Sequence, residues 1–238
     1  YSDEVEQSIN DLINVFYFGA YTCRSMQFYF DRDEVALYGM VDLNRSRADH
    51  HLNSVRKLED YQIARGGRVV LTDIKKPEQD EWGTPLESLQ YFLEMKKMQV
   101  QSCIKLHDVA EKNGDEHLKD FLETEFLEPL YNTIRQTGVL ISNLQRAGSG
   151  LGEYEFNKDV ELNLPRVLHS RKIKHGPDSS VITQYQDYPN VPHQHHPSVH
   201  VHPHHEHYAT EHTGIGSLFN KLNIQEPSDL INILKNVF

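Results

Sequence analysis

The chain has 238 residues, 38% of them hydrophobic and 25% charged, which allows one sizeable core with an extension or two small domains. A formal net charge of -11 argues against non-specific binding to nucleic acid or to an anionic membrane, since both need local positive charge. The two cysteines, Cys23 and Cys103, have no paired spacing and read as buried free thiols rather than as a disulfide or zinc framework.

Between about Glu4 and Phe30, the residues Leu12, Val15, Phe16, Gly19, Cys23, Met26 and Phe30 recur at steps of three and four, one face of a long helix. The turn Asp31-Arg32-Asp33 ends it. A second helix, from about Leu37 to Ala64, carries Met40, Leu43, Leu58 and Tyr61 inward but has a polar middle, and Gly66-Gly67 stops it. Residues 66–83 form a long connection. About 18 extended residues reach roughly 60 Å, whereas a 28-residue helix is about 42 Å long, so the chain can return along a whole bundle. One long crossover of this kind suits a four-helix bundle whose second and third helices run parallel.

The third helix is expected to open at Thr84-Pro85, with Glu87 completing a capping box, and to run to Lys112, where Asn113-Gly114 breaks it. The fourth covers about Asp115 to Gln145, and Pro129 inside it should bend it or free a carbonyl one turn earlier. After the hinge Gly148-Ser149-Gly150, a short fifth helix is expected from Leu151 to about Val160. The divisions are a helical domain over 1–162, a His- and Pro-rich segment over 163–214 expected to stay flexible, and a short amphipathic helix within 215–238. No run of 18 apolar residues is present, so no segment is expected to span a membrane. Tyr1 in place of an initiator Met is expected of a trimmed product, which leaves cytoplasmic and secreted locations both open. Asn44-Arg45-Ser46 matches the glycosylation sequon, a pattern that arises easily by chance.

Three stretches carry a family resemblance: Phe28-Tyr29-Phe30-Asp31-Arg32-Asp33, Arg65-Gly66-Gly67-Arg68 and Asp73-Ile74-Lys75-Lys76-Pro77. In these the chain resembles ferritins, over about residues 4–160. The resemblance implies an all-α, ferritin-like four-helix bundle that assembles into a shell of 24 subunits. It also implies an oxidation site in mid-bundle, yet those family positions here hold Phe16, Cys23, His51, Ser54, Lys96 and Leu130. Hard iron ions want oxygen and imidazole ligands. Phe16 and Leu130 have no ligand atoms, and Lys96 brings a cation. The reading is that catalysis is lost. His51 and Lys96 are then expected to form a polar centre satisfied by Tyr17, Tyr21 or a nearby acid, unless Lys96 snorkels outward. The mineral-seeding patch of the family falls near His50, Asn53 and Arg56, with Glu59 and Asp60 at its edge.

By the same resemblance, His107, Asp120 and Glu123 occupy the positions that line the threefold ion pore, where rings of acids focus cations. Ordinary surface acids in the first turns of a helix are the alternative. Leu151, Glu155 and Asp159 take the fourfold lining positions. Eleven of the 15 histidines lie from His169 to His212. Within that tail His195, His196, His200, His202, His204, His205 and His207 are candidate ligands for zinc, copper or nickel, and they gain charge below about pH 6.5.

Two functions follow. One is a non-catalytic shell subunit for iron storage, needing no cofactor, passing iron through its pores, and assembling alone or with an oxidation-competent subunit. The other is a structural, storage or stress-protective particle that does not store iron and whose histidine tail responds to metal or pH.

Overall fold

The computed structural model describes residues 2–168, all within the first of two units, residues 1–175. They form helices α1 (Asp3–Phe30), α2 (Tyr38–Ala64), α3 (Pro85–Lys112), α4 (Glu116–Leu122), a π-helical turn (Glu123–Leu127), α5 (Glu128–Ala147) and α6 (Leu151–Leu168). The expected all-helical bundle is present: α1 lies along α2 and α3, α3 lies along α5, and α6 crosses the ends of α2 and α5.

The helix starts follow from local chemistry. Ser2 Oγ accepts the Val5 N–H at 3.3 Å, and Asp3, Glu4 and Glu6 oppose the positive end of the α1 dipole. At α3 the capping box forms as expected. Thr84 Oγ1 accepts from Glu87 N at 3.2 Å, while Glu87 Oε2 accepts from Thr84 N at 2.8 Å. Gly66 stops α2 with φ +80°, a backbone region that side chains disfavour.

The connection from 66 to 83 lies along the bundle and is fastened by side chains of α1. Asn10 Nδ2 donates to Arg68 O at 3.0 Å and its Oδ1 accepts from Val70 N at 3.1 Å. Asn14 Nδ2 donates to Thr72 Oγ1 at 2.6 Å. The connection ends at Trp82, buried to 1% exposure, whose Nε1 donates to Ser25 Oγ at 3.0 Å.

Pro129 acts as expected, through a specific device. It has no N–H to give the Glu125 carbonyl. The preceding turn widens, so the Glu128 N–H reaches Glu123 O, five residues back. Backbone angles remain helical on both sides of the π turn, so α4 and α5 continue one rod.

Two apolar clusters fill the ends of the bundle. One gathers Val5, Ile9, Phe16, Leu58, Leu118, Phe126 and Leu130. The other gathers Met26, Phe30, Met40, Trp82, Leu89, Phe156 and Val160. Between them lies a layer in which Cys23, Ala48, Phe92 and Met95 surround buried polar groups.

Helix α6 continues past Val160 to Leu168, with a break at Asn163 (φ -121°, ψ 25°). Phe156, Val160 and Leu164 pack on the bundle, and this burial stabilises turns beyond the short helix that periodicity alone suggested. Asn157 Oδ1 accepts the Met40 N–H at 3.2 Å. A Cβ at Gly39 would lie 2.1 Å from the Asn157 carbonyl oxygen, so only glycine lets α6 approach this closely.

The Asn44 sequon cannot carry a sugar in this fold. Asn44 is fully buried and its Nδ2 donates to Met40 O at 2.8 Å. Among the described residues no helix is long and apolar enough to cross a membrane. The segment 169–214 and the expected terminal helix within 215–238 lie outside the described residues.

Candidate functional site

The polar layer is built where the middles of three helices meet. α1 contributes Gly19 and Cys23, α2 contributes Arg47 and His51, and α3 contributes Phe92, Lys96 and Gln99. Gly19 makes the approach possible: a Cβ there would stand 2.6 Å from Gln99 Nε2 and 2.7 Å from His51 Nε2.

His51 Nδ1 lies 2.9 Å from the Arg47 carbonyl oxygen, which can only accept, so the ring proton sits on Nδ1. Nε2 is then an acceptor, and Lys96 Nζ donates to it at 2.8 Å. Lys96 also donates to Gln99 Oε1 at 3.0 Å. Cys23 Sγ stands 3.8 Å from His51 Nδ1. The Arg47 guanidinium lies over the Phe92 ring, Cζ 3.7 Å from the centroid, and Lys96 Nζ is 5.2 Å from the same centroid.

Electrostatics here are those of bases without acids. Burial pulls the Lys96 ammonium down to about 7, with Arg47 adding repulsion that the two cysteines oppose. Burial lowers the Arg47 guanidinium to about 10. His51 falls well below its ordinary value through burial and the Lys96 charge. Burial raises the thiols of Cys23 and Cys103 to about 11 and about 12, so both stay protonated. Among the described residues, no carboxylate acts on Arg47, His51 or Lys96.

The polar centre expected from the sequence is therefore real, but its partners differ. Tyr17 donates to Glu59 at 2.9 Å and Tyr21 is exposed, so neither reaches the centre. Lys96 does not snorkel; it is 6% exposed. Gln99 supplies the acceptor, and its place three residues after Lys96 on one helix face was the available signal. Phe16 and Leu130 sit in the apolar cluster beside this layer. Ser54 Oγ is spent on the His50 carbonyl at 3.1 Å. The neighbouring patch is no richer in acids: His50 Nδ1 lies 2.8 Å from Ser46 O, and Arg56 donates to Asn53 Oδ1 at 2.7 Å.

At the far end of α3, His107 Nε2 meets Glu123 Oε1 at 2.9 Å, joining two of the three expected pore residues across helices. Asp120 lies exposed one turn before Glu123. Asp108 and Glu111 were not anticipated. Their carboxylates and the His107 imidazole place ligand atoms within 4.8 Å of one another, the consequence of i, i+1 and i+4 spacing on α3. The candidate ligands His195, His196, His200, His202, His204, His205 and His207 lie outside the described residues. Of the fourfold lining positions, Leu151, Glu155 and Asp159 are all exposed on α6.

Residues 6–147 match the ferritin-like domain family. Soma ferritin of Lymnaea stagnalis is 44% identical over 160 residues, covering 67% of this chain and 92% of that protein. The ferritin middle subunit of Aquarana catesbeiana is 42% identical over 161 residues, with 66% and 92% covered. The ferritin light chain of Pongo abelii is 39% identical over the same length and shares. With the bundle, its long crossover and these matches together, the chain belongs to the ferritin family.

Proposed function

We propose that this chain is a non-catalytic subunit of a ferritin-type iron-storage cage. It contributes wall and ion pores, while a partner subunit oxidises ferrous iron. The observation that carries this reading is the mid-bundle layer itself. Lys96, His51 and Arg47 bring positive charge or neutral imidazole to the place where two ferrous ions would need carboxylates. Phe16 and Leu130 line it with hydrocarbon. Cage closure at 24 subunits and mixing with an oxidation-competent subunit belong to the same proposal. His107, Asp120 and Glu123 would serve at its threefold pores, and the tail imidazoles would take zinc, copper or nickel.

The composition near His50, Asn53 and Arg56 favours a second reading. That patch holds a base where mineral seeding would want acids, which suits a ferritin-fold particle that stores no iron. Metal analysis of the particle as isolated separates the two. Hundreds of irons per shell support storage, and a cavity without mineral supports the second reading. Co-assembly with an oxidation-competent ferritin subunit tests the partnership: mixed cages should load iron in proportion to the partner's share.

A further inference from the structure

Two donors in the mid-bundle layer stand without an acceptor. Arg47 Nη1 and Gln99 Nε2 are buried and have no hydrogen-bond partner. The Gln99 amide cannot be turned to repair this, because its oxygen is the acceptor for Lys96. His51 Nε2 is taken by Lys96, and the Arg47 carbonyl by His51. An ammonium has three N–H donors, and two are used. Buried polar groups are nearly always paired, and an orphan left among them destabilises the fold.

The charge is as unbalanced as the hydrogen bonding. The titratable groups that act on one another here are Cys23 from α1, Arg47, His50 and His51 from α2, and Lys96 and Cys103 from α3. Among the described residues none facing it is a carboxylate, and both thiols are protonated. A buried cation with no counter-charge is costly; it either gives up its proton or is met by an ion of opposite sign, and the Arg47 guanidinium, lowered only to about 10, keeps its charge at neutral pH. A water molecule would answer the donors but not the charge.

We propose that the bundle centre binds a small monovalent anion of chloride size, held by the Arg47 guanidinium and the Lys96 ammonium with the Gln99 amide as a third donor. The site where the family would hold cations has become an anion site. Halide suits it because it accepts from several directions and carries no proton that needs a partner. The chain would acquire the ion as it folds, since the layer is enclosed by three helices. This inference does not depend on iron storage and stands or falls separately from it.

The test uses the full-length assembled particle, refolded and crystallised in sodium bromide at pH 6. Anomalous diffraction at the bromine edge should show a peak touching Lys96 and Arg47, absent from crystals grown in sodium gluconate. Bromide bound only at the outer surface, or a water in the layer in both salts, overturns the proposal. A second measurement follows melting temperature at constant ionic strength as gluconate is exchanged for chloride. The midpoint should rise in the unaltered protein, and the rise should be lost in Lys96→Met and in Arg47→Met. Equal midpoints in the two salts contradict the proposal. If either variant fails to assemble, the bromide map of the unaltered protein decides.

Discussion

Lys96 Nζ donates a 2.8 Å hydrogen bond to His51 Nε2, a base held against a base in the interior of a four-helix bundle. The pair persists because His51 keeps its proton on the far nitrogen, fixed by the Arg47 carbonyl, and so offers Lys96 a lone pair. The consequences reach from stability to function.

Lys96 should make stability climb with pH from about 7, until above about pH 9 the raised Cys23 and Cys103 thiols oppose the rise. Lys96 titrates near 7 in the folded chain and near 10.5 when exposed, so across that window the unfolded chain holds a proton that the folded chain lacks. The sign is positive, and one such group gives a slope of up to about 1.4 kcal/mol per pH unit. Below pH 7 both states are protonated and this contribution to the slope vanishes. Urea unfolding in chloride-free buffer from pH 6 to about 9 should show the rise, and Lys96→Met should flatten it. Lys96→Met should also be more stable than the unaltered chain at pH 7, by about 1–3 kcal/mol.

Two glycines inside helices should respond in opposite directions to alanine. At Gly19 the new Cβ would meet His51 and Gln99 at under 3 Å, so the overpacking cost of about 1–3 kcal/mol exceeds the gain in helix propensity. At Gly138 nothing lies within 4 Å, and alanine should stabilise α5 by about 0.5–1 kcal/mol. Denaturant midpoints of the two variants measure both.

Asp115 ties the end of α2 to the start of α4. Its carboxylate receives Arg65 Nη1 at 3.0 Å and Nη2 at 2.8 Å, and it caps α4 by accepting Leu118 N at 3.1 Å. Burial pushes this carboxyl upward, but the Arg65 fork and the Leu118 N–H outweigh burial and hold it below the usual range. Asp115→Ala should cost about 1–3 kcal/mol at pH 7. The cost should shrink as pH falls through the carboxylate range, where the unaltered chain loses the same interaction by protonation.

Much of this was legible in the sequence because it is local. Thr84, Pro85 and Glu87 announce the start of α3, and the spacing of Leu12, Phe16, Cys23 and Met26 announces the buried face of α1. The crossover was readable from length alone. That Phe16 and Leu130 offer no donor atoms followed from residue identity, wherever the two side chains point. The partners in the polar layer were not readable. Whether Lys96 meets Tyr17, an acid or Gln99 depends on helix rotation and on the close approach that Gly19 permits, both of which are tertiary. The length of α6 was hidden for a similar reason: its later turns are held by packing of Val160 and Leu164 rather than by propensity.

If the proposed pore role holds, Glu123 should matter to cation capture more than its exposure suggests, because it holds the His107 imidazole at 2.9 Å. Glu123→Gln and Asp120→Asn should each lower cobalt(II) binding by the assembled particle severalfold, leaving its melting temperature unchanged. Titration of the particle with cobalt(II), followed spectroscopically, reads the difference. Equal binding by both variants would place cation capture elsewhere.

The proposed loss of catalysis in the mid-bundle layer is tested most directly by ferrous oxidation in the homomeric particle. With iron supplied aerobically near neutral pH, the rate should equal that of buffer alone at every iron concentration. A saturable rate above buffer, in particles free of any other subunit, would contradict the account.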